Sequence, residues 1–361
     1  TEQAILWLSE NYSIDLNKIY MVGGSMGGAS GAIYANNHLD PTKPMVAATA
    51  SASGILDCER RAIEMDGNNS MIEWFGGNWD EVPFEYHRNS AVYFADSTQS
   101  MHYNLQHTPL YLDFGVTEPH RTHAEDLYYL IRDYNENVWI DTSPTGSHGY
   151  SVFDESHVCD WLSQFELTDN PDIINVNLDE SSRAYWLESY NQLILDDFIR
   201  VRATQNENNN FNIYEFSNSD SIIFHNTLNT NNSEILINHE FINNEYYLGL
   251  SGEGINFINE INATGTVEDY SELLNVNIQS QIAWISVPDF AFEKIEIAIS
   301  YFPNDLNQDG VWDISDIIIL VNYIVHQESL DDIDILNGDL NQDQIIDILD
   351  IILLVNIILE A

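Results

Sequence analysis

The spacing of apolar and polar positions along the chain changes near residue 168. Before it, short apolar runs alternate with segments of helical spacing, which is typical of an α/β layer fold with a partial parallel sheet. The predicted strands are 18–22, 45–51, 110–112 and 138–140. The predicted helices lie around 4–8, 122–134 and 154–166, with a further small-residue helix after the glycines at 23–24.

A different hydrophobic pattern begins after the predicted linker at 167–172. Residues 173–302 are rich in Asn and Ile and alternate with period two, as in 211–216 and 233–238. This pattern predicts a small antiparallel β-sandwich-like domain. No motif in it indicates a reaction, so carbohydrate binding and structural spacing both remain open as its role.

An internal repeat occupies the third domain, residues 303–361. The run Asp305–Asp316 (DLNQDGVWDISD) recurs as Asp339–Asp350 (DLNQDQIIDILD), and the apolar positions that follow each copy also match. Oxygen-bearing side chains recur at loop positions 1, 3, 5, 9 and 12, which suits calcium, and their mutual repulsion should couple calcium binding to folding. Gln344 replaces the loop glycine in the second copy, which makes the second site the weaker prediction.

The candidate calcium ligands are the side chains of Asp305, Asn307, Asp309, Asp313 and Asp316 in the first loop, those of Asp339, Asn341, Asp343, Asp347 and Asp350 in the second, and the backbone carbonyls of Val311 and Ile345.

Composition narrows the possible partners and gives the two cysteines no fixed role. The 58 acidic and 11 basic residues give a formal charge of −47, which disfavours nucleic acid and anionic membrane surfaces and favours solubility. No uncharged apolar run approaches the roughly 20 residues of a transmembrane helix. Cys58 and Cys159 form neither a disulfide framework nor a zinc site, and whether they pair is left open.

A candidate nucleophile lies where the first long strand ends. Residues 23–27 (GGSMG) fit the pattern G-x-S-x-G, with an apolar strand before and a helix-compatible stretch after. This context predicts a sharp strand-to-helix turn that exposes the Ser25 hydroxyl, with Gly23 and Gly27 avoiding collisions around the turn. The Met26 N–H would then point at a developing oxyanion.

A serine nucleophile needs a base and an orienting acid, which this kind of fold supplies in the order Ser, acid, His. His148 follows the last predicted strand in a Gly-Ser-His-Gly loop and is the preferred base. Glu118 is the preferred acid because it lies at the tip of the loop after strand 110–112, whereas Asp113 lies within that strand. The rival histidines are His120 and His123, and more distantly His87, His102 and His107.

These residues resemble a known family. Residues 1–168 resemble the C-terminal half of an α/β-hydrolase esterase domain, near the polyhydroxybutyrate-depolymerase-like, feruloyl-esterase-like and prolyl-oligopeptidase-like enzymes. The resemblance implies a triad of Ser25, Glu118 and His148. That family also places several strands and a second oxyanion donor before the nucleophile. We therefore expect those parts, and an export signal, in a preceding segment or another chain, and expect that the truncated chain has a half-built oxyanion hole.

The repeat at the end of the chain resembles a type I dockerin. This resemblance implies calcium in the loops and a cohesin-like protein as partner. It also implies that loop positions 10 and 11 contribute to partner choice; here they are Ile314 and Ser315, then Ile348 and Leu349.

Together these features predict a secreted or cell-surface serine esterase. It would act through an acyl-enzyme on carboxylic esters, including polysaccharide-linked acyl or feruloyl esters and polyesters. A prolyl-oligopeptidase-type serine peptidase and a noncatalytic glycan-binding or scaffold-docking protein are the alternatives. An aromatic set in residues 55–107 could line an acyl pocket or pack as ordinary core: Trp74, Phe75, Trp79, Phe84, Tyr86, Tyr93 and Phe94.

Overall fold

The structure is a computed structural model. It describes residues 1–66, 69–206, 210–225, 234–239, 246–251, 258–264, 275–279, 282–287, 294–299, 306–307, 313–326, 338–341 and 345–360.

The N-terminal part is a parallel sheet flanked by helices, which confirms the α/β prediction. Its strands pair in chain order: β1 (Tyr20–Gly24), β2 (Ala48–Ala52), β3 (Leu110–Asp113) and β4 (Val138–Ile140). Its helices are α1 (Glu2–Asn11), α2 (Met26–Asn37), α3 (Cys58–Glu64), α4 (Met71–Phe75), α5 (Pro83–Arg88), α6 (His120–Ile131) and α7 (Glu155–Leu162).

Small side chains bring α2 close to this sheet. All five residues of β2 are buried, and α2 buries a stripe that includes Gly28, Ala32 and Ala35. Strand β1 begins two residues later than its apolar run predicts. The reason is local: residues 16–18 form a 3₁₀ turn, capped by the Asp15 carboxylate, which accepts the Asn17 N–H at 3.0 Å.

The second part consists of two six-stranded sheets. One sheet has the order β14-β15-β12-β10-β7-β6, and the other has the order β13-β16-β11-β9-β8-β5. The strands are β5 (Ile173–Leu178), β6 (Arg183–Ala184), β7 (Leu187–Ser189), β8 (Ile199–Gln205), β9 (Asn210–Ser217), β10 (Ser221–Phe224), β11 (Glu234–His239), β12 (Tyr246–Leu250), β13 (Ile258–Thr264), β14 (Asn275–Gln279), β15 (Ile282–Val287) and β16 (Lys294–Ile299).

Pairing in these sheets is mainly antiparallel, as predicted, with one exception in each. Strand β10 pairs in parallel with β12, and β9 pairs in parallel with β11. Period-two alternation reports which side chains share a face but not the direction of the neighbouring strand, so the sequence gave no sign of these pairs. Residues of both sheets, such as Val201 and Leu248, pack in one buried cluster.

The two parts share this buried cluster. Leu39 and Met45 come from the α/β part yet pack among the residues of the two β sheets. The predicted linker at 167–172 is hydrogen-bonded to both parts. The Leu167 N–H donates to the Asn17 carbonyl at 2.9 Å, and the Trp186 indole N–H donates to the Pro171 carbonyl at 2.7 Å. The segment is therefore packed against the fold.

Two buried asparagines join the parts by hydrogen bonds. The Asn104 amide donates to the carbonyls of Asn36 (3.0 Å) and Asn177 (2.9 Å) and accepts the Asn177 N–H at 2.8 Å. The Asn177 amide in turn donates to the Ser100 carbonyl at 2.7 Å. All four residues are at most 2% exposed, so these pairings satisfy groups that water does not reach.

The C-terminal helices are α8 (Ile314–His326) and α9 (Ile348–Glu360), and they pack around Leu306, Leu320 and Leu354. Cys58 is buried, Cys159 is exposed and both are free thiols, so they do not pair. Among the helices of the described ranges, none is long and apolar enough to cross a bilayer.

Replacing Asn104 with Ala should destabilise the chain. The change removes one acceptor and two donated hydrogen bonds in a buried place, and the expected loss is about 2–3 kcal/mol of unfolding free energy. Urea denaturation followed by tryptophan fluorescence would measure it. Asn11→Ala, on the exposed surface of α1, is the matched control; an equal loss in both variants would contradict the prediction.

Candidate active site

Ser25 lies at the turn between β1 and α2, in an unusual backbone conformation. Its φ is 57° and its ψ is −119°, a conformation that non-glycine residues rarely adopt. Gly23 allows the turn, because a Cβ atom there would lie 2.0 Å from the Gly27 carbonyl oxygen. A Cβ atom on Gly27 would meet nothing within 4 Å, so the expectation that Gly27 is needed to avoid a collision is wrong.

The three predicted triad residues meet at the carboxyl edge of the sheet. His148 Nε2 lies 2.9 Å from Ser25 Oγ, and His148 Nδ1 lies 2.5 Å from Glu118 Oε2. Since a neutral imidazole donates from one nitrogen and accepts at the other, an Nδ1–H donated to Glu118 leaves Nε2 free to accept the Ser25 proton. The arrangement forms a continuous path for a proton from Ser25 to His148.

Glu118 is held as a carboxylate although its side chain is only 7% exposed. Burial alone would raise the pKa of Glu118. Hydrogen bonds from the Gly115 N–H and from the side chains of His148, Ser53 and His120 outweigh burial and lower that pKa. The carboxylate therefore stays charged at neutral pH and can stabilise a protonated His148.

Ser53 is a site residue that the sequence analysis missed. It follows β2 with a φ of 55°, is almost fully buried, and hydrogen-bonds to Glu118. Its hydroxyl also accepts the Gly149 N–H at 2.9 Å, next to His148. One side chain thus ties the acid loop to the histidine loop. Ser53 lies in the run Ala-Ser-Ala-Ser-Gly, where nothing distinguishes it from its neighbours.

The loops that carry the acid and the histidine approach each other closely. A Cβ atom on Gly115 would lie 2.0 Å from the Ser147 carbonyl oxygen, so only glycine fits where the two loops meet. The Val116 N–H donates to the Gly146 carbonyl across the same contact. This packing sets the reach of His148 toward Glu118.

None of the rival histidines takes the place of His148: His120 lies beside Glu118, and the others have different partners. His120 is buried, its Nδ1 lies 3.4 Å from Glu118 Oε2, and burial lowers its pKa, so it is neutral at pH 7. His123 receives the Asp57 N–H at 3.3 Å. The other three bind elsewhere: His87 Nε2 meets Glu59, His102 Nδ1 meets Ser100 and His107 Nε2 meets the Ile173 carbonyl.

Glu118, His120 and His148 also form a group whose ligand atoms lie within 4.8 Å of one another. Such atoms could hold a metal ion. In this structure His148 pairs with Glu118 through Nδ1 and with Ser25 through Nε2, so the geometry matches a proton relay.

Asp113, the rival acid, points away from the histidine. Its carboxylate accepts the Phe114 N–H at 2.7 Å and hydrogen-bonds to Asp141. Burial is the main cause that raises the pKa of Asp113 to about 7, and the nearby Asp141 carboxylate adds to the effect. Asp113 therefore joins the ends of β3 and β4 instead of contacting His148.

Met26 is the first residue of α2, beside Ser25. The first amides of a helix have no acceptor within the helix, and its N-terminus carries partial positive charge. The Met26 N–H is therefore suited to donate to the oxyanion that would develop on the oxygen of a carbonyl group attacked by Ser25.

The aromatic set of 55–107 packs mainly as core. Phe75 and Trp79 contact the buried Tyr86, Phe84 is buried against Phe198, and Tyr93 stacks on His87. Phe94 is half-buried and lies under the Arg60 guanidinium. Trp74 differs, because it is 59% exposed.

In the candidate calcium loops, the two position-12 aspartates are fully buried and have equivalent partners. Asp316 accepts the N–H groups of Leu306, Asn307 and Asp313, and Asp350 accepts those of Leu340, Asn341 and Asp347. Each carboxylate thereby closes its loop onto the helix that follows. In each aspartate Oδ1 accepts two of these bonds and Oδ2 accepts one, so Oδ2 keeps a lone pair that can bind a cation. The predicted ligands Asp305, Asp309, Val311 and Asp343 lie outside the described residues.

Comparison with known proteins identifies the last of these parts. Residues 303–359 match the Dockerin type I domain, which agrees with the resemblance of the repeat. Among solved structures, a candidate esterase from Staphylococcus aureus is similar, with 16% identity, a TM-score of 0.28, and coverage of 45% of this chain and 55% of that one. A likeness of this size says nothing about chemistry. No curated protein matches the chain.

The raised pKa of Asp113 predicts how stability depends on pH. Between its ordinary pKa and about 7, the folded state binds more protons than the unfolded state, so stability falls as pH rises through this window. Asp113→Asn should remove this slope. Between pH 5 and pH 8, the unfolding free energy of the variant should therefore rise by on the order of 2 kcal/mol relative to that of the parent.

Thermal unfolding of both proteins across that range would measure the slope. Asp160→Asn, at an exposed position of α7, is the control and should leave the slope unchanged. Parallel curves for Asp113→Asn and the parent would refute the assignment.

Proposed function

We propose that the chain is a secreted serine esterase that hydrolyses carboxylic esters through an acyl-enzyme. The observation that carries the proposal is the chain of hydrogen bonds from Ser25 Oγ to His148 Nε2 and from His148 Nδ1 to Glu118, with hydrogen-bond distances at both contacts. Serine nucleophiles need such a base within about 3 Å and a third group that orients it.

In the proposed reaction, Ser25 Oγ attacks the ester carbonyl carbon while His148 Nε2 takes its proton. Glu118 stabilises the resulting imidazolium, and the Met26 N–H donates to the oxyanion. His148 then protonates the leaving alcohol, which departs as the acyl-enzyme forms. A water molecule, deprotonated by His148, attacks the acyl carbonyl and releases the carboxylic acid from Ser25.

An open site favours an ester on a large substrate. The His148 side chain is 46% exposed, and Met26 beside the nucleophile is exposed as well. An ester that projects from a polymer could reach Ser25 without entering a deep cavity. Polysaccharide-linked acyl or feruloyl esters and polyesters are therefore the proposed substrates. A peptidase of prolyl-oligopeptidase type would use the same triad.

The dockerin domain supports an extracellular setting. Type I dockerins bind calcium and a cohesin, so we propose two calcium ions in residues 303–361 and a cohesin-like partner. The α/β part at 1–168 would be the catalytic domain. The β-rich part at 173–302 lies between it and the dockerin.

Ser25→Ala should abolish hydrolysis of p-nitrophenyl esters and covalent labelling by a fluorophosphonate, because both need the Ser25 hydroxyl. The expected fall in kcat is at least about 1,000-fold. Ser30→Ala, an exposed serine on the same helix, should behave as the parent. Full ester turnover by Ser25→Ala would reject this nucleophile. Faster turnover of peptide anilides than of esters by the parent would favour the peptidase.

Calcium should bind to two sites that can be separated. Calorimetric titration of the EDTA-treated chain should give two ions and a higher melting temperature of the dockerin domain. Asn307→Ala should weaken one site and Asn341→Ala the other, each by about tenfold or more. Asn356→Ala, on the exposed face of α9, should weaken neither. Absence of any calcium-dependent stabilisation would refute the sites.

A further inference from the structure

One sheet of the β-rich part has an outer face that carries aromatic side chains. In the sheet β14-β15-β12-β10-β7-β6, inward residues such as Leu248 and Ile285 fill the buried cluster. The alternate positions point to the other face and include Trp284 of β15 and Tyr247 of β12. Tyr190, directly after β7, joins them there. We call Tyr190, Tyr247 and Trp284 the aromatic face.

The Trp284 ring reaches over the neighbouring strand, where a glycine makes room for it. Gly249 is the β12 partner of Trp284, and a Cβ atom on Gly249 would lie 3.2 Å from Trp284 Cζ3. The same Cβ atom would lie 2.9 Å from Ile223 Cγ1 on the next strand, β10. The half-buried indole therefore lies over Gly249, and the side chains of Ile223 and Ile282 also approach this glycine.

Tyr190 stands beside this indole at an angle. The two ring centroids are 5.8 Å apart and the ring planes meet at 60°, so the rings form a corner. Tyr190 is 61% exposed and Tyr247 is 43% exposed. Exposed aromatic side chains that share one face with a further aromatic ring are typical of a binding surface, whereas isolated ones are not.

Oriented polar groups flank the corner. Glu188, in the same cross-strand row as Trp284, holds His225 Nε2 at 2.6 Å, and Ser251 Oγ lies 3.2 Å from His225 Nδ1. On the other side of Trp284, the exposed Asn277 is its β14 partner. A carboxylate, an imidazole and an amide thus offer acceptors and donors around an apolar floor.

The charge of the region disfavours anionic ligands. Arg183, at the edge of the face, is paired with Asp40 and with the Tyr185 carbonyl, so no free cation among the described residues of this face would attract an anion. Glu188 and the overall charge of −47 would repel one.

We propose that the aromatic face binds a neutral polysaccharide. A sugar ring has one face of C–H groups, which would lie on the electron-rich face of the Trp284 indole, and a rim of hydroxyl groups. Hydroxyls of this ring would pair with the Asn277 amide on the adjacent strand, and those of a neighbouring sugar unit would donate to the Glu188 carboxylate, three strands from Trp284. The Tyr190 ring would close one side of the site, and Tyr247 would extend it along the strand.

Affinity electrophoresis of the full chain tests the proposal. The probes are soluble xylan, mixed-linkage β-glucan and hydroxyethyl cellulose, with polygalacturonate as an anionic comparison. At least one neutral polymer should retard the parent and polygalacturonate should not. Trp284→Ala and Tyr190→Ala should each weaken the retardation about tenfold or more. Tyr214→Ala, at an exposed tyrosine of the other sheet, should leave it unchanged.

Tyr190→Ala keeps the test valid if Trp284→Ala unfolds, because the Tyr190 side chain is mostly exposed. Absence of retardation by all three neutral polymers would overturn the proposal, and so would equal retardation of the parent and Tyr190→Ala. Binding of a proline-rich peptide in place of sugar, or a dimer that Tyr190→Ala dissociates, would overturn it as well. Ser25→Ala should bind the polymers normally, so failure of the esterase proposal is distinguishable.

Discussion

The site depends on the hydrogen bonds that hold the buried carboxylate of Glu118. A carboxylate removed from water must be compensated by hydrogen bonds, and here the donors come from separate segments of the chain. Gly115 belongs to its own loop, Ser53 follows β2, His120 begins α6 and His148 lies beyond β4. The charge therefore fixes the relative positions of three loops at the carboxyl edge of the sheet. Loss of any one donor would weaken the alignment of His148 as well as the charge on Glu118.

A second constraint joins this site to the rest of the molecule. The segment that leads from α2 to β2 contributes Leu39 and Met45 to the core of the β-rich part. Asn104 and Asn177 lock the same two parts together through buried backbone groups. The sheet edge that carries Ser25 is thus supported from behind by packing that lies outside the α/β unit.

Local signals made much of this predictable. The run from Tyr20 to Gly27 combines a strand, a glycine turn and a helix, so Ser25 could be placed from the sequence alone. Glu118 and His148 follow from their positions after β3 and β4, since parallel strands bring their ends to one edge. Position along the chain then distinguishes the two acids, because Glu118 lies in the loop after β3 whereas Asp113 lies within that strand.

The features that the sequence did not predict depend on contacts between segments that are distant along the chain. Ser53 has no local signature, and its role arises only when Glu118 and Gly149 reach it. The parallel pairs β10–β12 and β9–β11 are not encoded in alternation, which is the same for either strand direction. The Trp284 ring likewise reaches over Gly249, which lies on the neighbouring strand and 35 positions earlier in the chain. Such features require the assembled fold.

The placement of Leu39 and Met45 also bears on how proteins of this architecture could be recombined. Fusion proteins are usually divided at exposed linkers, and the composition of residues 167–172 invites a cut there. Division at that point would leave two apolar side chains on the surface of one piece and a gap in the interior of the other. Shuffling of these units, in evolution or in the laboratory, should therefore keep the α/β part and the β-rich part together.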